Sequence, residues 1–270
     1  MPVNPAASPS RERTIVMIPA RLRSTRLPDK PLALIGGVPM IVQVWRRARE
    51  AEVGPVVVAC AEAVIADAIR EAGGEAALTD PELPSGTDRI FAALTGLDPE
   101  RRFELVINLQ GDLPTLEPAA IRAVLEPIER LGTDMGTLVA ASDDPAEKAN
   151  PNVVKAVVSF DPAAPGLGRA LYFTRATAPA GEGPIWHHIG IYAYRRAALE
   201  RLARLPPSPL ERRERLEQLR ALEAGMSIGV ARVDTVPLGV DTPADLERAR
   251  ALLAPRTAPQ RAAQRTRTRS

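Results

Sequence analysis

The sequence predicts an α/β protein: a doubly wound, mainly parallel sheet with an antiparallel extension or subdomain in its second half. Three observations carry this. Short, almost wholly apolar runs, T-I-V-M-I (14–18), V-V-V-A-C (56–60) and L-V-I-N-L (105–109), read as buried strands. Segments of helical periodicity separate them, and that alternation calls for parallel strands joined by crossover helices. In the second half, strand-like runs at 153–160, 170–173 and 189–194 follow one another without a helix between, which suggests antiparallel pairing.

Taken in order, residues 1–13 form a polar leader, and the first strand is Thr14 to Ile18. A helix is expected from Pro39 to about Glu52, with proline at its first position and Ile41, Val44, Trp45 and Ala48 on one face. After the Val56–Cys60 strand, a helix over 63–72 should turn Val64, Ala68 and Ile69 inward and end at Gly73-Gly74. A short strand at 75–78, a polar loop and a helix through Ile90, Phe91 and Leu94 lead to the 105–109 strand. Helix 118–131, strands 136–141, 153–160, 170–173 and 189–194, helices 196–204 and 210–224, and strand 227–233 complete the body. The last helix, 242–253, is capped by Thr242, with Pro243 in its first turn and Asp245 three residues on. On this reading 14–254 is one domain and 255–270 a disordered tail.

Charge and composition exclude several function classes. The tail carries Arg256, Arg261, Arg265, Arg267 and Arg269 and no acid; without them the formal charge of +2 becomes −3. The basic balance therefore belongs to the tail, which argues against a nucleic-acid-binding body. Cys60 is the only cysteine, so no intrachain disulfide forms and a reducing, cytoplasmic location is expected. No apolar run is long enough to span a membrane.

The stretch M-I-P-A-R-L-R-S-T-R-L-P-D-K-P (17–31) cannot be a helix interior, because its prolines remove donors and clash with preceding turns. It reads as a stiff cationic loop at the carboxyl end of the first strand, where α/β sheets hold anionic ligands. A plain solvated loop is the competing reading. Two further loops leave strands nearby. Ser85-Gly86-Thr87-Asp88-Arg89 is small and leads into a helix N-terminus suited to anions. Gln110-Gly111-Asp112 puts a carboxylate at the end of a buried strand, a costly place unless a cation meets it. Asp241 precedes the last helix and could merely assist the cap. Paired with Asp112, it offers two oxygen ligands with open positions, a set that suits Mg²⁺. Basic loop, small loop and acid pair together point to metal-assisted transfer from a nucleoside triphosphate. Ile35-Gly36-Gly37 is not followed by Gly-Lys-Ser/Thr, so a P-loop NTPase is not indicated.

The motifs P-A-R-L-R-S-T-R-L-P-D-K-P, P-S-G-T-D-R, N-L-Q-G-D-L-P, A-L-Y-F-T-R-A, H-H-I-G-I-Y, P-S-P-L-E-R-R-E-R-L-E-Q-L-R and G-V-D-T-P-A-D-L occur in that order. From about Thr14 to Leu253 the chain resembles the bacterial 3-deoxy-manno-octulosonate (Kdo) cytidylyltransferases. The resemblance implies a nucleotide-diphospho-sugar transferase fold and the reaction of CTP with Kdo to CMP-Kdo and pyrophosphate, for lipopolysaccharide biosynthesis. It implies a homodimer, with CTP bound mainly by 14–142 and the sugar and dimer contacts mainly in 143–233. Arg21 and Lys30 match residues that hold the triphosphate. Ala20, Ser24, Ser85, Gly86 and Arg89 match positions around the nucleotide, and Asp112 and Asp241 match the magnesium ligands. Gln110, Arg175, His188, Glu217 and Gln218 match the Kdo pocket. Arg23 and Arg26 are left as structural or solvated. Apart from the resemblance, His188 could be a neutral core histidine, Glu217 a solvent-facing helix residue and Arg175 a surface ion-pair partner. Two features depart from the family pattern: Leu113 stands where Gly-Asp-Glu-Pro is usual, and the segment between Arg175 and His187 is short. Alternatives are a cytidylyltransferase for another acidic 2-keto sugar, such as sialic acid or an amino-substituted Kdo, and a non-catalytic nucleotide-binding module.

Overall fold

The computed structural model describes residues 11–24 and 26–254. Of the sequence readings, those placed on 1–10 and on the arginine tail lie outside these residues. Strand β1 (Thr14–Ala20) runs two residues further than expected and alternates strictly: Val16, Ile18 and Ala20 enter one core, Ile15 and Met17 the other. The cationic loop follows and closes in a 3₁₀ turn at Lys30–Leu32. A miniature hairpin, β2 (Leu34–Ile35) and β3 (Val38–Pro39), then turns on Gly36 and Gly37, both at positive φ, as a two-residue primed turn requires. Helix α1 (Met40–Glu50) buries Ile41, Val44, Trp45 and Ala48 as their spacing dictates. Pro39 is its N-cap rather than its first residue, because it is held extended opposite Leu34.

β4 (Val56–Cys60), α2 (Ala63–Glu71) and β5 (Glu75–Leu78) follow with nearly the expected bounds. The inward face of α2 differs from expectation: Ile65, Ala66 and Ile69 are buried, while Val64 is 48% exposed. The i, i+1, i+4 stripe of larger residues won over the one containing Val64. Next come α3 (Gly86–Leu97) and β6 (Leu105–Asn108). The single helix expected over 118–131 is two, α4 (Pro118–Ala123) and α5 (Glu126–Leu131). The ring of Pro127 would collide with the carbonyl of Ala123 in a continuous helix, so the chain restarts there.

β7 (Met135–Ser142), α6 (Pro145–Ala149), β8 (Lys155–Phe160), β9 (Leu167–Thr174) and the long β10 (Ile185–Arg195) come next. They are followed by α7 (Arg196–Arg204), α8 (Pro209–Glu214), α9 (Gln218–Glu223), β11 (Ile228–Val233) and α10 (Pro243–Leu253). The helix expected over 210–224 is thus also broken, at Arg215, which adopts the left-handed conformation with φ 57°.

Nine strands form one sheet in the order β5-β4-β1-β6-β10-β7-β11-β9-β8. β5, β4, β1 and β6 are mutually parallel, as is the pair β7 and β11, but β10 runs antiparallel to both β6 and β7. The sheet is therefore mixed, not mainly parallel. Its reason lies in the connection at 161–166, where the chain doubles back without a helix from β8 into the antiparallel β9, a direction that β10 keeps. The first half of β10 also touches β8 through Trp186–Ala156 and His187–Lys155. Since β8 pairs with β9, β9 with β11 and β11 with β7, these five strands close into a ring. Helices cover both faces: α1, α2, α4 and α5 pack on one, and α3, α7 and α9 on the other. Because β1 and β6 are parallel, the loops after Ala20 and Asn108 leave the sheet at the same edge, beside the loop that enters α3.

Asp98, which caps the end of α3, fastens this helix to the rest of the molecule. Its fully buried carboxylate accepts from the amides of Arg102 and Phe103, 3.0 Å each, and from the Arg196 guanidinium at the start of α7. Burial pushes its pKa up, and these hydrogen bonds more than reverse that, holding it below the usual aspartate value. Removing one partner of such a pair leaves a buried charge uncompensated. Asp98→Ala should cost about 3–5 kcal/mol of stability, read as a lowered urea midpoint; a cost below about 1 kcal/mol would contradict this role.

Candidate active site

Three loops from the same sheet edge meet at a cleft of about 570 Å³. The cationic loop contributes Ala20, Arg21, Arg23, Ser24, Arg26 and Lys30; the small-residue loop contributes Ser85 and Gly86, with Arg89 behind them; the loop after β6 gives Gln110, Gly111 and Asp112. Asp241 completes the wall from the turn before α10. Every nucleotide, catalytic and metal candidate named from the sequence is in this lining.

Lys30 organises its centre. Its Nζ lies 2.9 Å from Asp112 Oδ2 and 3.1 Å from Asp241 Oδ1. The preceding residue, Asp29, is left-handed (φ 52°), a conformation aspartate tolerates better than most residues, and the turn it starts aims Lys30 inward. Burial acts to lower the lysine pKa, but the two carboxylates outweigh it and hold the ammonium above its ordinary value. The acid loops are stitched by backbone as well: Val240 donates its amide to the Asp112 carbonyl (3.0 Å), and Leu238 donates to Thr115 Oγ1 (2.9 Å). Gly111 is required by this closeness. A Cβ there would sit 3.0 Å from Ile41 Cδ1 and 3.1 Å from the Pro19 carbonyl.

Arg26, which the sequence leaves as structural or solvated, forms an ion pair with Asp241 at 3.1 Å. It is therefore part of the charged cluster. Among the described residues, Arg21 and Arg23 make no ion pair, so both exposed guanidinium groups face the cleft uncommitted. Arg89 differs. It is buried and donates to Thr79 Oγ1 and to the carbonyls of Asp80 (3.1 Å) and Pro81 (3.4 Å), fixing the loop ahead of α3. Burial, and then the nearby Arg21, lower its pKa. Ser85 caps α3 by accepting from the Asp88 amide (3.1 Å), which leaves the first-turn amides beside the cleft.

The five residues expected around a sugar are dispersed. Gln110 lines the cleft and donates to Asn108 Oδ1 (2.9 Å). Glu217 stands in an adjoining hollow that shares Ser85 with the cleft. Gln218 is buried in the first turn of α9. His188 is buried between Phe173 and Tyr192, ring centroids 5.0 and 5.5 Å away, with Nε2 3.0 Å from Thr137 Oγ1. Burial, and then His187, drive its pKa to about 3, so the ring is neutral. Arg175 turns from the cleft. Its guanidinium donates to the carbonyls of Glu214 (2.9 Å), Pro151 (3.1 Å) and Arg215 (3.5 Å), clasping the α8–α9 junction. The sequence reading passed over Thr87, Asn108 and Tyr194. The first two lie within quoted motifs, and their burial is the signal that singles them out.

The donor set can be weighed against magnesium. Asp112 and Asp241 present hard oxygen atoms to one cationic point, occupied by the Lys30 ammonium. Among the described residues no group of three or more His, Cys, Asp or Glu is arranged for a metal. Two carboxylates completed by phosphate and water is a mode Mg²⁺ favours. The residues fit.

Comparisons with known proteins agree on one neighbourhood. The Cytidylyltransferase family model matches residues 15–228. A protein of Parvibaculum lavamentivorans named 3-deoxy-manno-octulosonate cytidylyltransferase is 65% identical over 253 residues, covering 94% of this chain and 97% of its own. One of the same name from Rhodospirillum centenum is 65% identical over 243 residues, covering 90% and 94%. A solved structure of a CMP:2-keto-3-deoxy-manno-octonic acid synthetase complexed with CTP superposes with a TM-score of 0.81 at 39% identity, over 90% of this chain and 98% of that one.

Proposed function

The chain belongs to the 3-deoxy-manno-octulosonate cytidylyltransferase family, and from that membership we propose that its cleft transfers a cytidylyl group from CTP to the C2 hydroxyl of Kdo. The observation that supports this site most is the pair of carboxylates held on one ammonium beside a helix N-terminus, in a cleft rich in arginine. Nucleotidyl transfer needs such a place: it brings a polyanion to a hydroxyl nucleophile and must neutralise the charge that leaves.

Arg21 and Lys30 bind the β- and γ-phosphates, and the first-turn amides of α3 behind Ser85 and Gly86 receive the nucleotide's remaining acceptors. Asp112 and Asp241 would hold magnesium, which would supply Lewis acidity for the transfer. The C2 hydroxyl loses its proton to solvent as its oxygen attacks the α-phosphorus in line; that O–P bond forms as the bond to the bridging oxygen breaks, and pyrophosphate departs with the electron pair. With Asp112 and Asp241 engaged by the metal, Lys30, which pairs with both here, would be available to the triphosphate. Gln110, Glu217 and Gln218 bind the sugar acid on the far side of Ser85. Arg175 and His188 support that pocket from behind, through the α8–α9 junction and Thr137. A cytoplasmic homodimer acting in lipopolysaccharide biosynthesis completes the proposal; no helix among the described residues is long and apolar enough to cross a membrane.

Pyrophosphate release from CTP should depend on Kdo and be at least about tenfold slower with sialic acid or an amino-substituted Kdo, a margin that pocket hydrogen bonds readily supply. Equal or faster release with another 2-keto acid reassigns the substrate, and no release with any acceptor favours a non-catalytic nucleotide-binding module. In the same assay Asp112→Asn should lose ~10²–10³ in turnover while melting near the parent protein. Near-native turnover of that variant at ordinary magnesium would refute the metal assignment.

A further inference from the structure

Below the cleft, between Gln110 and Glu217, lie buried polar residues, Asn108, Tyr194 and Thr87, that the proposed chemistry does not use. Gln110 Nε2 donates to Asn108 Oδ1 at 2.9 Å. The buried Tyr194 side chain lies against both Asn108 and Thr87. Thr87 Oγ1 donates to Glu217 Oε2 at 2.5 Å. Thr87, Asn108 and Tyr194 are 3%, 2% and 1% exposed, so water cannot replace any of these bonds.

The donor inventory fixes a direction. Threonine has one hydroxyl proton, and the Glu217 carboxylate takes it. Asn108 accepts from Gln110 through its carbonyl oxygen. Two side-chain bonds thus flank Tyr194, one at the wall of the cleft and one to a carboxylate in the adjoining hollow. Three elements supply the links, β6, the C-terminal half of β10 and the first turn of α3, and the register between β6 and β10 holds Asn108 level with Tyr192. No buried side-chain polar atom is left without a partner among the described residues.

We propose that Thr87, through its hydrogen bond to Glu217, is a positioning residue that sets this carboxylate for the acceptor substrate. This rests on the sugar-side reading of Glu217. Glu217 lies at the α8–α9 junction, whose neighbour Arg215 is left-handed, and a short helix beside such a bend does not by itself fix a side chain. The Thr87 hydroxyl does, because it sits in a helix anchored by the Ser85 cap and by Asp98. It also places the constraint one residue from Gly86 in the nucleotide wall, so both substrates are referred to the same turn of α3.

Steady-state kinetics of the full chain test this. Thr87→Val keeps the shape and removes the hydroxyl. It should raise KM for Kdo about tenfold and leave KM for CTP within about twofold, since a hydrogen bond to a charged group is lost on one side only. Thr87→Ser should restore the parent value. An unchanged KM for Kdo in Thr87→Val, or an equal rise in both KM values, overturns the proposal. Glu217→Gln, measured in parallel, separates the two possible failures. If it raises KM for Kdo while Thr87→Val does not, the positioning role alone is wrong. If neither does, the sugar-side reading of Glu217 falls with it.

Discussion

Two carboxylates and one ammonium set the terms for the rest of this molecule. Asp112 and Asp241 lie more than a hundred residues apart in the chain, yet both touch Lys30 Nζ, so their contacting oxygens are no more than about 6 Å apart. At an effective dielectric of ~20, two bare charges at that range repel by roughly 3 kcal/mol. The protein meets this cost with a cation from the loop that also faces the nucleotide. The surrounding structure serves to hold that triad: the backbone bond from Val240 to Asp112, the exchange between Thr115 and Leu238, the glycine that lets the Asp112 loop lie against Pro19, and the left-handed Asp29.

The same economy links nucleotide and acceptor. α3 presents its capped N-terminus to the cleft, and its second residue, Thr87, reaches Glu217 on the other side. The helix is fixed at its far end by Asp98 and Arg196. One rigid element thus joins the cleft to the adjoining hollow, and the mixed sheet makes this possible. β10, antiparallel to β6, brings Tyr194 beneath Thr87 and carries His188 at its other end into the five-stranded ring.

Much of the fold was legible because its strands are uniform apolar runs with clear stops. Val56–Cys60 and Glu75–Leu78 match their expected bounds, and the Thr242 cap with Asp245 is a full capping box. What the sequence hid has particular causes. Pro127 was visible as a helix breaker but sat inside an otherwise periodic segment. Arg215 gives no local sign of a bend; the αL turn there is stabilised by tertiary partners, with Arg175 donating to the carbonyls of Glu214 and Arg215. Strand direction was the larger miss, since an apolar run reads the same either way. The motif-borne candidates for nucleotide and metal line one cleft, whereas residues defined by burial, such as Thr87 and Asn108, were not named from the sequence. Arg26 looked like one more surface arginine until Asp241 was placed beside it, and Arg175 read as a sugar-pocket residue or a surface ion-pair partner until its carbonyl partners were in place.

The central claim is that the Lys30 ammonium occupies the position a divalent cation takes between Asp112 and Asp241. Manganese affinity without nucleotide, measured by electron paramagnetic resonance on the parent protein and on Lys30→Met, tests it most directly. Removing a competing cation from two carboxylates should tighten manganese binding by roughly tenfold. An affinity that is unchanged or weaker in Lys30→Met would contradict the account.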